Sequence, residues 1–266
     1  MTAVDRGPLL SALVVAHNEE DQLADCLAAL AFADEIVVVL DKCTDGSKAV
    51  AQRFTDRLVE GAWNIEGERR NTGIEACHGA WILEVDADER VPPPLAAEIR
   101  ALVEGPAGQA ETGYYLIPFD NYVGARLVRH GWGASWGVSA AARLHRKGSK
   151  RWGLQRIHPA LALTEPQGWL RTPMLHYVDR DISDMIRRLD RYTTAKAADL
   201  RDSGDIGRFW PNLRRVFSRF WKCFVARKGY REGLWGFLIA LFAGLYPLLS
   251  YLKARLEPGP AERTEP

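Results

Sequence analysis

The sequence predicts an α/β fold, a mostly parallel sheet covered by helices, with a helical C-terminal extension. Three observations predict it. Apolar strand-like runs alternate with helix-periodic segments through residue 104, the order that parallel βαβ units require. After residue 181 the apolar spacing becomes helical throughout, and the residues that carry it become bulky and aromatic. The charge is also divided. Residues 1–110 hold nine Lys and Arg against twenty Asp and Glu, whereas 201–231 hold nine Lys and Arg against two Asp. An acidic front suits a bound cation, and a basic back suits phosphates, whether of a membrane or of nucleic acid.

Taken in order, Leu9 to Val15 reads as a buried strand that stops in the polar loop Ala16-His17-Asn18-Glu19-Glu20. Leu23, Cys26, Leu27 and Leu30 mark an amphipathic helix. Glu35 to Leu40 is a second strand ending at Asp41, and Asp45-Gly46-Ser47 turns the chain into a helix over 48–54. A short strand at 57–59, a helix over 68–77, a strand over 80–85 and a helix over 96–103 follow. The polar clusters at 17–20, 41–47 and 86–89 each follow a strand directly. In open α/β sheets ligands bind at the carboxyl ends of strands, so these clusters are expected to converge on one crevice.

Residues 113–178 are rich in glycine, tyrosine and tryptophan with short β-like pieces, which reads as an antiparallel extension. A helix over 181–200 carries Ile182, Met185, Ile186, Leu189 and Tyr192 on one stripe. Residues 208–228 interleave aromatics with Arg and Lys, the pattern of an amphipathic helix at a membrane interface. Leu234 to Leu252 is 19 residues without a charge, close to the roughly 20 that a spanning helix needs. That segment spans a membrane, lies in its interface or packs in a core, and the basic flank favours a bilayer over nucleic acid as the partner. The expected organisation is 1–110 and 111–180 as two halves of one α/β domain, 181–256 as a membrane-associating helical region, and 257–266 as a disordered tail.

Four cysteines, Cys26, Cys43, Cys77 and Cys223, form no CxxC pair and no zinc spacing, so they read as small buried groups in a reducing compartment. The N-terminus lacks the charged and apolar regions of a secretory signal, so the chain is expected in the cytoplasm. No G-x-G-x-x-G follows the first strand and there is no P-loop, which argues against a dinucleotide oxidoreductase or a nucleotidyltransferase on a similar sheet.

The chemistry concentrates at Asp86-Ala87-Asp88. In an extended segment the two carboxylates share one face, and hard divalent cations take such oxygen ligands. A cation there neutralises charge that develops on a departing diphosphate. His158 or His176 is placed to complete the metal site. Asp41, Asn18 and Glu19 end strands where they reach a base or ribose, or else serve turns and caps. Arg69 and Arg70 precede the acidic strand, where either suits a phosphate or a solvated helix face.

These motifs in this order resemble a glycosyltransferase family 2 domain: Leu13 to Glu20, Ile36 to Asp41 with Thr44 to Ser47, Arg70-Asn71, and Trp81 to Arg90. More loosely, Gly131 to Leu144, Ile157-His158-Pro159, Leu175-His176-Tyr177 and the C-terminal helices are similar to WaaE-like lipopolysaccharide-core glycosyltransferases. The resemblance implies the GT-A fold, Rossmann-like with helices on both faces. It implies an inverting, metal-dependent transfer from a UDP-sugar, glucose-like, with Mg²⁺ or Mn²⁺. Asn18, Glu19, Asp41, Arg70, Asn71 and Asp86 would hold the donor, and Asp86, Asp88, His158 and His176 the metal. The acceptor would be a lipopolysaccharide core or lipid-linked glycan at the cytoplasmic face of the inner membrane, with the chain peripheral or anchored by one C-terminal helix. The chain departs from the pattern at Pro159, where relatives often carry Glu, so the base that takes the acceptor proton is open among His158, Glu89 and Asp179. The same departure admits an alternative, a non-catalytic membrane-associated protein that binds glycan or nucleotide.

Overall fold

The computed structural model describes residues 8–106, 112–133, 136–154, 160–164 and 166–257. The expected alternation is present: β1 (Leu10–Ala16), α1 (Glu20–Ala28), β2 (Glu35–Asp41), α2 (Ser47–Ala51), β3 (Leu58–Gly61), α3 (Glu66–Ala76), β4 (Trp81–Asp86), the two-residue β5 (Glu89–Arg90) and α4 (Pro93–Glu104). Strands β3, β2, β1 and β4 are neighbours in that order and all parallel. Their β-branched alternation buries both faces. Leu10, Ala12, Val14 and Leu83 pack with α1 and α4, through Leu23, Leu27, Leu95 and Ile99. Leu13, Val37, Val39 and Ile82 pack with Ile74 of α3 on the other face. Helices therefore cover both faces, and the chain has the α/β fold that the sequence predicts.

Close approach on the α3 face depends on missing side chains. A Cβ on Gly67 would stand 1.9 Å from the Gly153 carbonyl oxygen, and one on Gly73 would meet Leu13 Cδ1 at 2.6 Å. Backbone does not yield as a side-chain tip does, so Gly67→Ala is expected to cost about 1–3 kcal/mol of stability, read as a lower melting temperature with α-helical signal otherwise unchanged.

The rest of the sheet is mainly antiparallel, as the glycine- and aromatic-rich stretch suggests. β6 (Tyr114–Val123) pairs with β8 (Ala140–Arg146), which pairs with β4. Beyond β6 come β12 (Met174–Asp179) and β5. The short β7 (Arg126–Leu127) also joins β6, and β11 (Gln167–Trp169) joins it in parallel. β9 (Lys150–Trp152) and β10 (Leu161–Leu163) form a separate ribbon.

The chain packs as two units that interleave in sequence, unlike the expected boundaries at 110 and 180. The first takes the described residues up to Phe119 with Ala140–His176, and the second takes Asp120–Ser139 with the described residues from Tyr177 onward. The divisions thus fall inside β6 and β12. In the second unit, α5 (Ile182–Asp202), α6 (Phe209–Trp221) and α7 (Leu234–Leu256) surround Trp132, Trp136, Met185, Ile239, Ala243 and Tyr246. A π-helical turn over Lys222–Ala226 and a 3₁₀ turn over Gly229–Glu232 link α6 to α7. The basic helix expected over 208–228 therefore ends its regular part seven residues early.

Candidate active site

The site grows from the carboxyl ends of β1, β2 and β4, where sequence reasoning placed three polar clusters. The first two are stitched together. Asn18 adopts a left-handed backbone (φ 57°), and its Oδ1 accepts a hydrogen bond from Thr44 N at 2.7 Å. Glu19 N donates to Ser47 Oγ at 2.8 Å, and Glu20 accepts from Gly46 N at 2.6 Å. Asn18 thus does the turn work that its residue type favours, and these bonds tie the carboxyl ends of β1 and β2 into one rim. Asp41 is buried at the end of β2, where it accepts from Trp63 N at 3.0 Å and pairs with Arg69 Nη1 at 2.9 Å. Asn71 does not face this rim. Its side chain holds the backbone of Trp152 through both its oxygen and its nitrogen.

The acidic cluster departs from the extended geometry expected of it. β4 ends at Asp86, the chain turns through Ala87-Asp88, and Glu89 begins β5. The turn sends the two aspartates to different partners. Asp86 is gripped by Arg70 Nη2 at 2.9 Å and by Arg143 Nη2, which also bridges to Glu89. Burial alone would raise the Asp86 pKa, but Arg143 and Arg70 outweigh it and hold the carboxyl well below the usual range. Asp88 instead lies 3.5 Å from His176 Nε2 and is the more exposed of the pair's partners, at 34%.

β5 brings the histidine into place. It pairs antiparallel with β12, setting Glu89 opposite His176. Asp88, Glu89 and His176 consequently offer ligand atoms that all lie within 4.8 Å of one another. Asp86 is outside this group, and both of its oxygens are paired with arginines. Two carboxylates and an imidazole suit Mg²⁺ or Mn²⁺, the imidazole favouring Mn²⁺. Glu89 is fully buried and its pKa is pushed up to about 7 by burial, with Asp86 and Asp88 adding to the rise against Arg143 and His176. His176 is raised as well. Burial opposes its charge, but the hydrogen bond to Asp88 and the nearby carboxylates prevail.

Beneath the site runs a buried ionic network that sequence reasoning missed. Glu84 lies 2.6 Å from Lys150 Nζ and 3.1 Å from His145 Nε2, and it accepts from Trp152 Nε1 at 3.0 Å. Arg70 stacks over Trp152, 4.7 Å from the ring centroid, and pairs with Glu66 at 2.8 Å. A signal existed. Glu84 and Asp86 sit two apart on a buried strand and therefore share a face, so the neighbouring strand must supply cations at the same spacing, as Arg143 and His145 do.

Of the expected bases, Glu89 is enclosed and bridged to Arg143, and Asp179 lies in the second unit, bidentate with Arg188 at 2.9 and 2.7 Å. His158 lies outside the described residues.

Comparison with known proteins agrees with the sequence motifs. The family model for Glycosyl transferase family 2 matches residues 11–156, more than half of the chain. A lipopolysaccharide core biosynthesis glycosyltransferase, LpsC, of Rhizobium meliloti (strain 1021) is 27% identical over 92% of this chain and 91% of its own length. An uncharacterized glycosyltransferase of Rickettsia typhi is 20% identical over 92% of this chain and 86% of its own. Among solved structures, S. aureus TarS 1–349 superposes with a TM-score of 0.46 at 14% identity, covering 71% of this chain and 65% of that one. The protein is a glycosyltransferase, and the chain belongs to glycosyl transferase family 2.

Proposed function

We propose that the protein transfers a sugar, with inversion, from a UDP-sugar to a lipid-linked glycan of the lipopolysaccharide-core type at the cytoplasmic face of the inner membrane. The observation that carries this reading is the group of Asp88, Glu89 and His176 just after β4, the strand that pairs with β1, whose carboxyl end Asn18 and Glu19 tie to that of β2 near Asp41. The name of the R. meliloti relative supports the acceptor class. In the transfer, the acceptor oxygen bonds to the anomeric carbon from the face opposite the diphosphate, the bond to the diphosphate oxygen breaks, and the acceptor proton passes to a base. Neither carboxylate of the described candidates presents itself to a hydroxyl, so no base is assigned among the described residues. When bound, Mg²⁺ or Mn²⁺ would neutralise charge on the diphosphate. Asp88, Glu89 and His176 would hold that cation. Asp41 and the loop of Asn18 and Glu19 would seat the nucleoside. Arg70 and Arg143 would fix Asp86 and Glu89 so that the cation site keeps its shape.

The test is thermal unfolding with UDP, GDP or dTDP, each with and without Mn²⁺. UDP at a hundredfold excess over its Kd should stabilise by about 2.7 kcal/mol, only with Mn²⁺ present. A shift with dTDP or GDP instead would overturn the donor, and a UDP shift indifferent to Mn²⁺ would overturn the metal.

A further inference from the structure

In the second unit, α6 carries large apolar residues on both of its faces. Its inner side packs on α7, where a Cβ on Gly244 would meet the Val216 carbonyl oxygen at 2.7 Å. Its outer side presents Trp210, Phe217 and Trp221, 74%, 69% and 64% exposed. Spacings of seven and four residues set these three rings on one stripe, and Arg214 stands on that stripe between them. Contiguous exposed aromatics of this size mark a contact surface. The stripe continues past the π-helical turn, because Phe237 of α7 packs on Phe220 and Phe224 at centroid distances of 5.6 and 6.3 Å, while Leu234 beside it is 81% exposed. Around the stripe, residues 208–231 contain eight Lys and Arg and no Asp or Glu.

α7 is long and apolar enough to cross a membrane, but half of its apolar window is buried within the protein. It is the core helix of its unit, through Ile239, Ala240, Ala243 and Tyr246. Its last turns are tied to the polar helix α5. Lys253 Nζ reaches Asp190 Oδ1 at 2.6 Å and Thr194 Oγ1 at 2.7 Å, and Arg201 donates to the Lys253 carbonyl at 2.9 Å. A spanning α7 would have to shed these charged partners or carry them into hydrocarbon.

We infer that the outer stripe of α6 lies in the plane of an anionic phospholipid surface, its aromatic rings at headgroup depth and its cations on lipid phosphates, with α7 backing it inside the protein. Rings that are apolar in body and polar at one edge suit that depth, and cations around them give both attraction and salt dependence. The inference deepens the proposal of a membrane-borne acceptor and rests on it for its purpose. It names the surface that would bring the donor site to such an acceptor.

The experiment is flotation of the purified full chain with phosphatidylcholine vesicles, with and without phosphatidylglycerol. The wild-type protein should float with the anionic vesicles, less so at high salt, and alkaline carbonate should release it. Trp210→Ser, Phe217→Ser and Trp221→Ser together should lower partition by about tenfold or more without lowering the melting temperature, since the rings are outside the core. Unchanged flotation of the triple variant would overturn the inference. So would retention through carbonate with equal binding to neutral vesicles, which means a spanning α7. So would a dimer that the substitutions dissociate while flotation is unaffected, which means that a second copy covers the stripe. UDP-dependent stabilisation is measured on the same samples. Vesicle binding without a UDP response sinks the donor reading and leaves this one, and the converse sinks only this one.

Discussion

Replacing Asp88 by Asn is expected to lower turnover by about three orders of magnitude while leaving the protein folded. The amide keeps the shape of the carboxylate and can still meet His176, so only the charge is lost. In the proposed transfer that charge matters, because it would hold the cation that neutralises the departing diphosphate. Asp88 sits in a half-exposed turn with His176 at 3.5 Å, so the substitution should move the melting temperature little. Asp86→Asn should behave oppositely. Asp86 neutralises Arg70 and Arg143, which are both 9% exposed, and removing its charge leaves them facing each other. That variant should lose stability before any loss of activity can be read. Turnover titrated with Mn²⁺, together with thermal melts of both variants, separates the two aspartates. Metal-dependent activity retained in the Asp88 variant would show that the cation sits elsewhere.

How far the sequence reveals the site differs between its parts. The parallel half of the sheet is legible because each strand is buried on both faces and ends in a polar cluster, so Asp41 and Asn18 could be placed at strand ends from the sequence alone. The D-x-D geometry was not. Alternation of side chains holds only while the strand continues, and the chain turns after Asp86 because β5 must leave to pair with β12. That long-range pairing, Glu89 opposite His176, is set by residues 87 positions apart in sequence and leaves no local trace. Arg143, His145 and Lys150 were missed for a related reason. Each reads as a surface charge until Glu84 and Asp86 are known to lie against it. The C-terminal region shows a third limit. The composition of Leu234–Leu256 satisfies the length and hydropathy of a spanning helix, and its packing on α5 and α6, which buries half of its apolar window, is not written in that composition.

Arg143→Met carries the largest expected cost in stability, about 3–5 kcal/mol, because it leaves two buried carboxylates without their shared cation. For a chain of this size that corresponds to a melting temperature lower by roughly 10 °C. The mechanism is charge rather than volume, and pH distinguishes them. Glu89 holds its proton in the folded protein up to about pH 7, against 4.5 as its ordinary value. A raised folded pKa contributes stability that is complete below the unfolded pKa and is lost as pH rises through the folded one. Arg143 opposes that rise, so without it the Glu89 pKa climbs further and the losing window extends above pH 7. In EDTA, the gap between wild type and variant should therefore be widest near pH 8 and narrow towards pH 5, where Glu89 is neutral in both. Arg143→Met combined with Glu89→Gln should recover part of the loss at pH 8, since the second buried charge is gone. A gap that stays constant from pH 5 to 8, with no recovery in the double variant, would mean that Arg143 serves through its packing on Phe119, 5.7 Å from the ring centroid, and not as the cation that holds the acidic site together.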